Sequence, residues 1–217
     1  MTYTTRQQAL LATPWAVLAT TYVAFQGFAS LWGPKAGYLA AFVFYWVVWG
    51  GLLPLWVLGW RGLRGLFEDA RPRLGKPAWV GAVLLLLPIA GAAATVFAAK
   101  LPAATVAIVL ASAALALVNG TLEEVLWRGA YVRLFPGRLF LGYIYPTLGF
   151  AIWHLAPQSV HPITMPGGVA AFIAGAIIMG ACWGWAAWRT GSIRWSVVSH
   201  VMTDFLGLGA TIYLLSN

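Results

Sequence analysis

Seven stretches of this chain are apolar over roughly the length that crosses a hydrocarbon core, at 12–32, 36–59, 78–99, 103–122, 139–158, 168–188 and 193–215. A crossing helix needs about 20 such residues. In lipid no water satisfies the backbone N–H and C=O groups, so only helices and closed barrels can span. Strand-like alternation of apolar and polar residues is absent, which selects helices. The fourth stretch is the least regular. Its apolar run from Ala103 to Val118 continues through Asn119-Gly120 and Thr121-Leu122-Glu123-Glu124 to Phe135, as one long bent helix or as two. The expected fold is therefore all-α, a polytopic transmembrane bundle of seven or eight helices in a single membrane-embedded domain over residues 1–217.

Composition excludes a soluble globule: only 8% of residues are charged, against about 25% in soluble domains, and the mean hydropathy is +0.82. Thirteen tryptophans and eight tyrosines suit headgroup belts and helix-to-helix packing. Gly180 and Gly184, one turn apart, suit close packing, as small residues do in any membrane bundle. The net charge of +8 does not point to nucleic acid, because the basic residues are spread over short connections. Their placement follows the positive-inside rule. The longest connection sets Arg61, Arg64, Arg71, Arg73 and Lys76 against Glu68 and Asp69 and is expected in the cytoplasm. Counting from it puts the N-terminus, Arg133, Arg138, Arg189 and Arg194 inside, and Lys35, Lys100, the His161-Pro162 loop and the C-terminus outside. Pro136-Gly137 and Pro166-Gly167-Gly168 mark turns. The single cysteine, Cys182, makes neither an internal disulfide nor a cysteine-based metal site. The first apolar stretch lacks the flanks of a cleaved signal and reads as a retained span.

Against this background, Glu123, Glu124, Asp204, His154 and His200 are costly groups that need a partner or a task. Glu124 and Arg128 are four apart and share a helical face, so Arg128 can hold Glu124 while Glu123 points about 100° away. Taken alone, that cluster also fits a solvated ion pair at a helix end. His154 follows Phe150 by one turn, so the ring packs on it or lines a cavity with it; a core histidine bonded to a backbone carbonyl is the plainer reading. His200 and Asp204 form another one-turn pair, in which Asp204 fixes the His200 tautomer or both face a ligand. Three such clusters in one small chain make purely structural roles for all of them improbable. A glutamate and a histidine together polarise a water for attack on a carbonyl, and a second histidine stabilises the oxyanion, which suggests peptide hydrolysis. Two histidines and a carboxylate also form a common zinc set. No H-E-x-x-H or G-x-S-x-G motif is present, and Ser199 is a poor nucleophile, about 100° round the helix from its neighbour His200.

At these residues the chain resembles the CAAX prenyl protease and bacteriocin-processing family of intramembrane endopeptidases. The motifs are Glu123-Glu124-Val125-Leu126-Trp127-Arg128, Phe150 to His154, and His200 to Asp204 preceded by Arg189-Thr190-Gly191-Ser192-Ile193. The resemblance covers residues 103–208, and the first three crossings share only their apolar character with the family. It implies a helical bundle with a cavity-facing site in which Glu123 is the general base and His154 binds and activates water. His200 and Asp204 would form the oxyanion site, with Glu124 and Arg128 supporting. It further implies no cofactor, with zinc held by Glu123, His154, His200 and Asp204 as the alternative. Asp204 stands where the family pattern also allows asparagine; if ionised it repels an oxyanion, so it is protonated, orients His200 or completes a metal site. Asn119 is a nearby polar group, a donor or, more simply, a kink or packing residue. The expected partners are the lipid bilayer and a hydrophobic or lipid-modified peptide or protein entering from it, in an integral multi-pass protein of a prokaryotic cell membrane. The competing class is a non-catalytic scaffold or partner-binding protein that keeps the polar core. Transport is weaker, since no matching halves are visible.

Overall fold

The computed structural model describes residues 2–215, which form helices and connecting turns with no strand among them. We number the helical rods α1 (Thr5–Trp32), α2 (Pro34–Gly65), α3 (Ala78–Ala103), α4 (Val106–Leu134), α5, α6 (Gly168–Thr190) and α7 (Arg194–Leu214). These six with stated bounds are each long and apolar enough to span a bilayer. The remaining rod, α5, runs from Phe140–Ile144 through Tyr145–Trp153, breaks at His154 and resumes at Leu155–Gln158. The fourth apolar stretch is thus one long helix, α4, with a π-helical turn at Val125–Ala130 immediately after the paired glutamates. Such turns relax the regular ladder and recur at functional positions.

Local chemistry sets the helix ends. Thr4 and Gln7 form a reciprocal cap at the start of α1, and Thr105 Oγ1 accepts from the Ile108 N–H at the start of α4. α2 bends at Gly59, whose φ of +68° only glycine adopts readily, so the apolar crossing stops there and Trp60–Gly65 leaves at an angle. α5 breaks because Pro157 has no N–H to offer the Trp153 carbonyl one turn back and its ring crowds that carbonyl.

α4 packs along α7, α6 packs on α5 and α3, and α1 packs on α2 and α5. The exterior is apolar, with Val23, Leu31, Val106, Leu110 and Ile178 largely exposed, as suits side chains facing lipid. The interior is aromatic, with Tyr45, Trp127, Tyr131, Trp153 and Trp183 fully enclosed. Close approach relies on glycine: a Cβ on Gly120 would lie 3.0 Å from Val201 of α7, and one on Gly180 would lie 3.1 Å from both Arg128 Nη2 and Phe150 Cδ1.

At one end of the bundle, the Arg189-to-Ile193 turn clips α6 and α7 to the connection after α2. Gly191 turns the chain at φ +70°. Ser192 Oγ donates to the carbonyls of Leu66 and Glu68, at 3.1 and 2.8 Å, and the Ile193 N–H donates to Leu66 at 2.9 Å.

Candidate active site

α4 and α7 lie side by side, which brings the first and third polar clusters together inside the bundle. Glu123, Glu124, Arg128 and His200 are all buried, with 2% exposure or less. Glu124 Oε1 stands 2.9 Å from Arg128 Nη1 and 2.9 Å from His200 Nδ1, so the expected one-turn ion pair forms and also takes the imidazole. The Arg128 guanidinium lies 4.2 Å from the Phe150 ring centroid, a buried cation–π contact.

Glu123 does not point to a separate place. Its Oε2 lies 3.4 Å from His200 Nε2, so both glutamates end on one ring, at opposite nitrogens. The 100° offset between adjacent helical side chains is what lets them straddle the imidazole. Glu123 Oε1 is buried and has no hydrogen-bond partner among the described residues. Asp204 Oδ1 is 3.5 Å from the same Nε2, so the carboxylate that holds Nδ1 is Glu124 rather than Asp204.

His154 sits at the break in α5, where the turn frees its side chain. Its Nδ1 lies 2.7 Å from the Phe150 carbonyl oxygen, which can only accept. Nδ1 therefore carries the proton and Nε2 keeps a lone pair. The backbone bond of the plainer reading is present, and it is also what prepares Nε2 as an acceptor. His154 makes no ion-pair contact with either glutamate, and Phe150 packs against both histidines, with ring centroids 4.7 Å from His154 and 6.0 Å from His200.

Several neighbours carry no motif signal. Trp183 of α6 stacks on His200 at 3.8 Å and 13°, and its Nε1 donates to Ser199 Oγ. Ser199 in turn donates to the Leu85 carbonyl at 2.6 Å, so this serine fixes the stacking plane. Tyr45 of α2 accepts from Trp127 Nε1 at 2.8 Å and lies beside Glu123. Asn119 Nδ2 donates to Asp204 Oδ2 at 2.9 Å, a direct contact beyond the packing role its sequence position suggested.

Among the described residues no three histidine, cysteine, aspartate or glutamate side chains are grouped to hold a metal ion. Phe150 packs against both histidines of the alternative zinc set of Glu123, His154, His200 and Asp204. Outside the site, between α2 and α4, an apolar groove of about 500 Å³ is lined by Val43, Trp46, Val47, Val118 and Leu122, the last adjacent to Glu123.

Residues 105–206 match a family model described as type II CAAX prenyl endopeptidase Rce1-like. No curated protein and no solved structure matches the chain.

Proposed function

With residues 105–206 belonging to the Rce1-like type II CAAX prenyl endopeptidase family, we propose that this integral membrane protein hydrolyses a peptide bond with water activated by Glu123 and His154. The observation that carries the reading is the approach of three carboxylates to His200, with Glu123 Oε1 left without a partner among the described residues. Glu124 is committed to Arg128 and His200, so Glu123 is the carboxylate free to take a proton. His154 Nε2 is a second acceptor that orients the water. The water oxygen adds to the scissile carbonyl carbon as its proton passes to Glu123. The oxyanion that forms accepts a hydrogen bond from Nε2 of His200 in its doubly protonated form, whose Nδ1–H stays on Glu124. Collapse breaks the C–N bond, and the proton held by Glu123 goes to the departing amine. No step runs through a metal.

The substrate class is a hydrophobic or lipid-modified peptide, and the apolar groove beside Leu122 suits its approach from the bilayer. The test is cleavage of internally quenched peptides, farnesylated and unmodified, by the protein in liposomes, with Glu123→Ala and His154→Ala as controls. Loss of cleavage in both variants is expected. Parent-like rates in both would overturn the assignment.

A further inference from the structure

Position 204 carries an acid in a site that must stabilise negative charge, and the structure shows what restrains it. Trp46 Nε1 donates to Asn119 Oδ1 at 2.8 Å, and Asn119 Nδ2 donates to Asp204 Oδ2 at 2.9 Å. The direction of this chain is fixed by its first member. An indole N–H can only donate, so the amide oxygen of Asn119 faces Trp46 and its NH₂ faces the Asp204 carboxyl group. The other oxygen of Asp204 is then the one 3.5 Å from His200 Nε2, the nitrogen that also faces Glu123. The chain crosses three helices: Trp46 lies in the π-helical turn of α2, Asn119 on α4 one turn before Glu123, and Asp204 on α7. Asp204 is 27% exposed where His200 is 2% exposed, so it is the member of the cluster with most room to turn away.

We propose that Trp46 and Asn119 are positioning residues that hold the Asp204 carboxyl group turned toward His200, Asn119 supplying the amide that position 204 itself lacks. The inference rests on the peptidase reading above. With the tether in place, one Asp204 oxygen is engaged by an N–H donor and is spared from facing the developing oxyanion. Without it, the carboxyl group rotates and the geometry around His200 Nε2 is lost.

The test measures kcat and KM separately in proteoliposomes, with an internally quenched farnesylated CAAX-type peptide, for the parent, Glu123→Gln, Trp46→Phe, Asn119→Ala and their double variant. The loss of one buried hydrogen bond predicts a kcat decrease of about tenfold in each single tether variant, with the thermal midpoint close to the parent's and KM unchanged in Asn119→Ala. The double variant should be no worse than Asn119→Ala alone, because both break one chain. The reciprocal swap Asn119→Asp with Asp204→Asn keeps a donor-to-acceptor order, Trp46 to position 119 and position 204 to position 119, and should recover most of the kcat that Asn119→Asp loses alone. Glu123-dependent cleavage with both tether variants within about twofold of the parent kcat overturns this proposal and leaves the peptidase reading standing. Additive losses, or a swap no better than its parts, overturn it as well. A parent without Glu123-dependent cleavage overturns both.

Discussion

Two adjacent glutamates, chemically alike, occupy different electrostatic positions. Glu124 is clamped between Arg128 and His200, whereas Glu123 faces His200 with one oxygen, has Tyr45 beside it, and makes no hydrogen bond with the other oxygen among the described residues. Replacing each by glutamine should separate chemistry from stability. Glu123→Gln is expected to lower cleavage by about 10²–10⁴-fold, the range for a general base, with little change in thermal midpoint. Glu124→Gln leaves a buried guanidinium without its counter-charge, a loss of about 3–5 kcal/mol, so it should lower the midpoint in detergent as well as the activity. Equal midpoints for the two variants would contradict this division. The sequence made the Glu124–Arg128 pair readable, because four residues on a helix is a contact whatever surrounds it. It did not reveal Trp183 stacked on His200, Tyr45 beside Glu123 or Asn119 bonded to Asp204, since those contacts join helices whose lateral arrangement is not encoded in local spacing.

Helix defects aim the reactive side chains. Pro157 breaks α5 at His154, and the π-helical turn of α4 begins one residue after Glu124. Pro157→Ala should let α5 run through the break, since a proline inside a helix costs about 3 kcal/mol relative to alanine. We expect the variant to be at least as stable as the parent but poorly active, because His154 would turn away from the interior; a parent-like kcat would show that the break is not what positions it. Gly180 makes the complementary point. A Cβ there sits 3.1 Å from Arg128 and Phe150, so Gly180→Val should press on both and reduce activity about tenfold or more, as overpacking of about 1–3 kcal/mol implies. In the sequence Gly180 stands one turn from Gly184, as small residues do in any membrane bundle, and which neighbours it meets is a matter of packing.

Across the whole molecule, charge is sorted by end. Arg189 donates to the Lys76 carbonyl and Arg194 lies 3.7 Å from Asp69, so the basic connections after α2 and between α6 and α7 meet at one face. Lys35 and Lys100 instead bond to the carbonyls of Leu215 and Gly207 near the end of α7. If the first face is cytoplasmic, a cysteine placed at Arg71 in a Cys182→Ser background should resist an impermeant maleimide in intact cells, and one placed at Ala36 should react. The reverse pattern would invert the topology. The sequence alone determined that the chain is a helical membrane bundle, because a backbone in lipid has so few ways to satisfy its hydrogen bonds. It also determined which five groups in the apolar stretches were too costly to be idle. Beyond the Glu124–Arg128 pair, only the tertiary structure decided their partners. Lipid-facing and core-facing residues are alike apolar, so periodicity does not say which face of α4 meets α7; the close approach of Gly120 to Val201 fits that register, in which the two glutamates reach opposite nitrogens of His200.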